Sequence, residues 1–207
     1  MSTKTSEFTT PATDAQLEQL AQRLRERNFE AVIVDGAAEA KAEVMKRLPA
    51  GAEVHSAKSR TMEEIGVFSE LSEGHTYTFL RKQLMKMDRA TQAAEMRRLV
   101  AAPDFELGSV NAVTEAGQLV EASATGSQMG PYSSSSGQLI LVVGSHKIVP
   151  DLDAALRRIR DHVFPYEDAR LREQMGVGTK LGRILILEQD YTPGHTTVIL
   201  VREPVGI

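Results

Sequence analysis

The chain has 207 residues, of which 42% are hydrophobic and 25% are charged; it contains no cysteine and carries a formal net charge of −4. The acidic balance argues against partners such as nucleic acid or an anionic membrane surface, because both need a surplus of Lys and Arg. Without cysteine the chain cannot form disulfides or thiolate-held iron–sulfur or zinc sites, so we expect no cofactor within it.

The N-terminal residues 1–12 are polar and lack the apolar stretch of a signal peptide, so we predict a disordered arm and a cytoplasmic protein. Residues 13–207 have the length of a single α/β domain. Thr13 and Gln16 form a capping-box pattern that opens a helix. One apolar stripe follows at helical spacing: Leu17, Leu20, Ala21 and Leu24.

The next segments alternate between strand and helix patterns. Strands are predicted at 31–35 and 52–56, and helices at 37–48, from the capping box of Thr61 and Glu64 onwards, and over most of 73–102. This order favours parallel strands joined by right-handed crossovers, with helices packed against the sheet. The pattern alone does not distinguish a flavodoxin-like sheet from other three-layer folds.

The second half begins with two strand patterns between residues 109 and 123, around a turn at 115–117. A loop rich in Ser and Gly spans 123–137, and 139–143 is the strongest strand pattern of the chain. Asp151 caps a helix whose arginines, Arg157, Arg158 and Arg160, we expect on a solvated face. A helical stretch follows Pro165, and strands at 184–187 and 197–201 flank a turn with Pro193 and Gly194.

The loop after residue 122 is a candidate anion site. Ser123, Thr125 and Ser127 supply hydroxyl groups, and Gly126 allows backbone conformations that direct successive N–H groups at a ligand. The alternative is a flexible surface loop, which is common for such a composition.

A second candidate lies directly after the strongest strand, at Gly144-Ser145-His146-Lys147. Ligands of parallel α/β sheets bind at the carboxyl ends of the strands, and Lys147 could supply positive charge there. The alternative is an ordinary turn with a solvated His146 and Lys147. We predict that this segment and residues 123–130 share one hollow that accepts negative charge.

Other chemistry has less support. Glu115 is a weak candidate for a catalytic carboxylate, since an ordinary exposed turn residue explains it better, and we include its neighbours Thr114 and Gly117 in the predicted ligand-binding set. The five histidines show no metal-binding spacing, so we predict no metal site. Neither a P-loop nor a G-x-S-x-G motif is present.

The segments S-V-N-A-V-T-E-A-G-Q-L-V-E-A-S-A-T-G-S-Q (109–128) and V-V-G-S-H-K-I-V-P-D-L-D (142–153) resemble the signature of the LUD, or lactate-utilisation, family. Further similarity occurs at 165–170, 176–188 and 197–207. The resemblance implies a three-layer α/β/α domain with a mostly parallel sheet, similar to ribose-5-phosphate isomerase and CoA transferases. The chain resembles the short form, which lacks the cysteine-rich iron–sulfur extension of larger members.

Three functions stay open, of which the resemblance implies the first, and the sequence does not decide whether the chain is an enzyme. The first is a non-redox component of L-lactate oxidation to pyruvate, binding a small anionic molecule beside iron–sulfur partner subunits. The second is a stand-alone enzyme acting on a CoA ester or sugar phosphate. The third is an interaction protein without a ligand, whose 123–137 loop would be disordered and would line no pocket. Homo-oligomerisation is also left open.

Overall fold

A computed structural model describes residues 6–207. Its main element is a six-stranded sheet in which every neighbouring pair is parallel, in the order β1-β10-β7-β4-β2-β3. The strands are β1 (Glu30–Val34), β2 (Glu53–His55), β3 (Thr78–Phe79), β4 (Phe105–Gly108), β7 (Gln138–Gly144) and β10 (Thr196–Val201). The central strands β7 and β10 are apolar runs buried on both faces, as expected for a parallel sheet covered by helices.

A smaller sheet has the order β8-β5-β6-β9, with one parallel and two antiparallel pairs. Its strands are β5 (Ala112–Thr114), β6 (Leu119–Ser123), β8 (Ile148–Val149) and β9 (Arg183–Leu187). The chain enters this sheet shortly after it leaves the carboxyl ends of β4 and β7. The smaller sheet therefore begins where parallel α/β sheets bind their ligands.

The helices are α1 (Asp14–Glu26), α2 (Ala37–Lys46), α3 (Arg60–Glu64), α4 (Val67–Glu73), α5 (Leu80–Leu84), α6 (Arg89–Leu99), α7 (Leu152–Arg158) and α8 (Phe164–Met175). One face of the large sheet packs against α2, α3 and α4, and the other against α1 and part of the smaller sheet. The predicted three-layer α/β arrangement with a mostly parallel sheet is confirmed. Within residues 6–207, no helix has both the length and the apolar character needed to cross a bilayer.

The first helix forms as its sequence predicts. The Thr13 hydroxyl accepts a hydrogen bond from the Gln16 backbone N–H, and the Gln16 side chain accepts one from the Thr13 N–H. The four residues of the predicted apolar stripe are at most 1% exposed. Local capping and apolar spacing therefore agree with the tertiary structure here.

Of the predicted disordered arm over residues 1–12, the structure describes residues 6–12, and residues 1–5 lie outside the described part. Ser6–Phe8 forms a short 3-10 turn, and Phe8 is 4% exposed with its ring beside that of His162. The Ala12 N–H donates to the Ser145 carbonyl at 3.4 Å. One buried aromatic side chain anchors a segment that is otherwise polar.

The structure adds detail to two predicted segments and corrects one predicted residue. Residues 73–102 are mostly helical, as predicted, and also contain β3. The predicted strands at 184–187 and 197–201 lie in different sheets, since β9 pairs with β6 in the smaller sheet and β10 lies between β1 and β7. Arg158 is fully buried rather than solvated, and its guanidinium donates to the carbonyls of Asn111 and Phe8.

The end of β4 depends on a glycine. A Cβ atom at Gly108 would lie 1.7 Å from the hydroxyl oxygen of the buried Tyr132. That hydroxyl donates to the Ser109 carbonyl at 3.0 Å and accepts from the Ser109 N–H at 3.1 Å. The close approach of Tyr132 thus fixes the backbone at the first residue after the strand.

We expect Gly108→Ala to lower the free energy of unfolding by about 1–3 kcal/mol, because the added methyl group overpacks a closed core. Urea denaturation measures this. In a Tyr132→Phe background the same change should cost less, since the clashing oxygen is gone. Strictly additive effects of the two substitutions would contradict the packing argument.

Candidate functional site

Three neighbouring strands of the large sheet bring one side chain each to the same point. Lys147 lies three residues beyond the end of β7, Ser109 follows β4 directly, and Thr61 lies in α3, which follows β2. Because β2, β4 and β7 are adjacent and parallel, their carboxyl ends meet at one edge. In the structure Lys147 lies at this edge, the position that its place after the strongest strand indicates.

Lys147 is 2% exposed, and its amine is held by two hydroxyl groups. The Nζ atom donates to Thr61 Oγ1 at 2.9 Å and to Ser109 Oγ at 3.0 Å. Within residues 6–207 it forms no ion pair with a carboxylate. A buried charge is usually paired, so a lysine amine surrounded by neutral acceptors leaves a place for an anion.

Burial, and to a lesser extent the nearby positive charge of Arg158, lowers the pKa of Lys147 to about 7, while Glu121 and Glu64 oppose this shift. Glu121 is a half-buried residue of β6. Burial raises the pKa of its carboxyl to about 8, against the effects of Gln128 and Lys147. At neutral pH the site therefore holds a protonated carboxyl beside an amine that gains and loses its proton readily.

Lys147 and Glu121 line one pocket of about 310 Å³, which we term the lysine pocket. Residues 57–61, 109–111, 121–125 and 127–128 line it together with Tyr132, Lys147, Val163, Glu167, Arg170, Leu171, Thr179 and Ile207. Its walls thus come from the ends of three parallel strands, from β6 with the following loop, and from α8.

The other cations of the lysine pocket differ from Lys147. Arg170 is paired with Glu167 at 2.5 Å, so its charge is largely neutralised. Arg60 lies 3.9 Å from both Glu63 and Glu64 and is half exposed. Lys58 is exposed to solvent. Lys147 is the cation of this pocket that combines burial with the lack of an acidic partner in the described chain.

The two segments predicted to share a hollow do so in part. Ser123, Thr125 and Ser127 line the lysine pocket with Lys147. The Ser123 hydroxyl donates to Gln128 Oε1 at 3.0 Å, and Gln128 Nε2 donates to Glu121 Oε1 at 3.2 Å. The loop is therefore joined to the pocket's carboxyl group. The interaction-protein hypothesis expected this loop to line no pocket, and the structure contradicts that expectation.

Gly126 and Gly144, two of the three glycines of the predicted set, do not line the lysine pocket. Gly126 adopts a φ of 79°, which suits glycine, and its N–H donates to the Ser123 hydroxyl. A Cβ at Gly144 would lie 2.6 Å from the Val205 carbonyl oxygen. Each glycine thus has a role in turn geometry or packing that requires no ligand.

The turn at the far end of β5 also lies outside this pocket. Thr114 is fully buried, and its hydroxyl bonds with Gln118. Glu115 is exposed, and Gly117 turns the chain with a φ of 90° against the Arg27 side chain. The structure therefore does not bring Glu115 to Lys147, and the carboxyl group in the pocket is that of Glu121.

Sequence analysis does not single out four residues of this site. Thr61 and Ser109 accept hydrogen bonds from Lys147, and Glu121 and Tyr132 line the pocket. The helix that Thr61 was expected to cap begins two residues earlier, where the Ser59 hydroxyl accepts from the Met62 N–H at 3.3 Å. This frees Thr61 to face Lys147. Ser109 could have been found from its position directly after a parallel strand, had β4 been recognised.

Within residues 6–207, no three His, Asp or Glu side chains are grouped as a metal site would require. The buried His55 and Glu106 form a close pair of 2.6 Å, from Nδ1 to Oε2, between the ends of β2 and β4. Burial raises the pKa of Glu106, and His55 opposes that shift. This pair packs into the sheet and supplies no lining residue to the pocket.

Comparison with known proteins gives one family and a fold. The sequence model of the LUD domain matches residues 17–201. A DUF162 family protein from Deinococcus radiodurans has a similar crystal structure, with a TM-score of 0.51 and 14% identity over 92% of this chain and 99% of that one. A D-ribose-5-phosphate isomerase in complex with phospho-erythronic acid gives a TM-score of 0.38 and 16% identity over 56% and 54% of the two chains. No curated protein matches the chain.

Proposed function

The chain belongs to the LUD domain family, and from that premise we propose that it binds a small carboxylate in the lysine pocket as a non-redox component of lactate utilisation. The ligand class is a short 2-hydroxy or 2-oxo acid such as L-lactate or pyruvate. Lys147 is the residue that meets the carboxylate, and the hydroxyls of Thr61 and Ser109 position its amine.

One observation carries the proposal: a buried lysine amine faces a pocket without an acidic partner in the described chain. A bound carboxylate would form a charge-assisted hydrogen bond to Nζ and compensate the cost of burying its charge. The protonated Glu121 carboxyl could donate a second hydrogen bond to the same anion. Both groups therefore favour a negatively charged ligand.

Pocket size supports a short acid over a large ligand. A volume of about 310 Å³ lies at the lower end of the range for small-molecule sites, which starts at roughly 300 Å³. A CoA ester would extend far outside it, whereas a sugar phosphate is closer in size. The acid/base pair of Glu121 and Lys147 is the observation that favours a stand-alone enzyme acting on a sugar phosphate as a second candidate function.

Thermal unfolding with L-lactate, pyruvate, ribose 5-phosphate and acetyl-CoA separates these functions. A ligand at 100 times its dissociation constant should raise the free energy of unfolding by about 2.7 kcal/mol. We expect stabilisation by L-lactate or pyruvate. Stabilisation by ribose 5-phosphate alone would favour the second function, and no stabilisation by any of the four would contradict both.

Iron–sulfur partner proteins are part of the proposal, because the chain has no cysteine to hold a cluster itself. Affinity purification of the full chain from its native cell, grown on L-lactate, should recover a cysteine-rich partner. Unchanged growth on L-lactate after deletion of the gene, together with no such partner, would contradict the lactate-utilisation part while leaving anion binding to its own test.

The affinity for L-lactate, which cannot react with the amine, should depend on pH in a defined direction. Binding favours protonated Lys147, so affinity is highest below pH 7 and falls about tenfold per unit above it, as the free amine loses its proton. Above pH 8 the fall should steepen, because Glu121 becomes negative and repels the ligand. Isothermal titration between pH 6 and 9 measures this, and an affinity that is constant or rises over this range would contradict it.

A further inference from the structure

The environment of the Lys147 amine is that of a nucleophile as well as that of a cation. Nζ donates two hydrogen bonds, to Thr61 Oγ1 and Ser109 Oγ. In the neutral amine these use both hydrogens, and the remaining tetrahedral position is the lone pair. Within the described residues, no carboxylate forms an ion pair with this nitrogen. Such a partner would favour the protonated amine. Desolvated lysines of this kind are the ones that attack carbonyl groups.

We infer that Lys147 forms a covalent imine with the carbonyl carbon of a small 2-oxo acid in the lysine pocket, an inference that rests on the proposed binding of such acids there. The pocket holds the amine, two hydroxyl groups and the Glu121 carboxyl together. These are the groups that imine formation requires: a nucleophile, hydrogen-bond partners that fix it, and an acid for the carbonyl oxygen.

The step balances with the residues present. The Nζ lone pair attacks the ketone carbon and forms the C–N bond, while the C=O π electrons move to oxygen, which takes the Glu121 proton. The nitrogen then returns a proton to the Glu121 carboxylate. The same carboxyl protonates the new hydroxyl group, which leaves as water while the nitrogen lone pair forms the C=N bond. The protonated imine then returns its remaining N–H proton to the Glu121 carboxylate, which restores the starting acid. No oxidant or reductant is consumed.

The neutral state of the amine supports this chemistry, since burial lowers the pKa of Lys147 to about 7 and a large fraction of the free amine is present at physiological pH. Burial also raises the pKa of Glu121 to about 8, so the acid keeps its proton under the same conditions. Imine formation distinguishes a 2-oxo acid from a 2-hydroxy acid, because only the former has an electrophilic carbon. The pocket would thus retain pyruvate covalently and L-lactate reversibly.

The test is reductive trapping. The full chain is incubated with pyruvate or glyoxylate at pH 7.5 and treated with sodium cyanoborohydride, and the modified lysine is located by peptide mass spectrometry. We expect most of the protein to carry one reduced imine on Lys147. Lys86→Arg, which alters an exposed lysine outside the pocket, should leave the adduct unchanged, whereas Lys147→Arg should abolish it.

The outcomes separate this inference from the proposed function. L-lactate cannot form an imine, so its stabilisation of the protein tests anion binding alone. Stabilisation by L-lactate or pyruvate without an adduct at Lys147, or with adducts only on exposed lysines, would overturn the imine and leave the proposed binding intact. Absence of both stabilisation and adduct would overturn both. An adduct at Lys147 whose yield falls when L-lactate competes for the pocket would support both.

Discussion

Replacing Lys147 with methionine is expected to lower the affinity for the bound acid by at least about 30-fold, corresponding to about 2 kcal/mol or more. The reason is that the carboxylate would enter a buried site without its cation. Methionine has a similar length and no charge, so it fills the same volume and spares the fold the burial of an ammonium group. The measurement is isothermal titration with L-lactate and pyruvate at pH 6.5, where Lys147 is mostly protonated.

Lys58→Met is the matched control. Lys58 lines the same pocket, but its side chain is exposed, and its charge is screened by solvent. We expect its replacement to change the affinity by less than about threefold, which is the effect of a surface charge. Equal losses in the two variants would show that general electrostatic attraction, rather than a specific contact with Lys147, accounts for binding.

Arg158→Ala is expected to lower the free energy of unfolding by about 3 kcal/mol, because it leaves a cavity and removes the donor for two backbone carbonyls. The Arg158 side chain is fully buried and bonds with the carbonyls of Asn111, at the start of the smaller sheet, and Phe8, in the N-terminal segment. Burial lowers the pKa of Arg158 only to about 10, so it stays charged at neutral pH. Urea denaturation and the melting temperature measure the effect.

The adjacent Arg157 provides the control for that variant. Its side chain is 53% exposed and forms a surface ion pair of 3.4 Å with Glu7. Arg157→Ala should therefore change the free energy of unfolding by less than about 0.5 kcal/mol. Similar losses from both substitutions would contradict the structural role of Arg158. Where Arg158→Ala shifts Asn111, which lines the lysine pocket, the substitution should also weaken anion binding.

Local signals predicted those elements whose neighbours in space are also close in sequence. The capping box of α1, the Asp151 cap of α7 and the buried strand β7 all form where their patterns indicate. In each case hydrogen bonds within a few residues, or one continuous apolar run, decide the structure. The hairpin of β5 and β6 belongs to the same class, since a short turn joins antiparallel neighbours.

Features that depend on distant partners could not be predicted in this way. Residues 184–187 and 197–201 look alike as short apolar runs, yet one lies exposed at the edge of the smaller sheet and the other is fully buried in the large one. Arg158 differs from its neighbours Arg157 and Arg160 only in facing the interior. Periodicity gives no sign of this, because the carbonyls that it serves come from segments far away in the sequence.

The residues of the site also divide into those that local sequence signals indicate and those that depend on distant partners. Lys147 was found from its position after the strongest strand, and Ser123, Thr125 and Ser127 from the composition of their loop. Glu121, however, is one polar residue within a strand pattern, and that pattern does not show that it lines the same pocket as Lys147. Thr61 was assigned to a helix cap because a capping-box pattern carries no information on which side chain faces a pocket.

The titration of the Lys147 amine tests the central claim most directly. In protein labelled with 13C at the lysine Cε, NMR can follow the protonation of this amine with and without saturating L-lactate. Anion binding predicts a midpoint near 7 for Lys147 in the free protein, which moves upward when the acid is bound. A free midpoint close to the ordinary lysine value, or one that L-lactate does not move, would contradict the account.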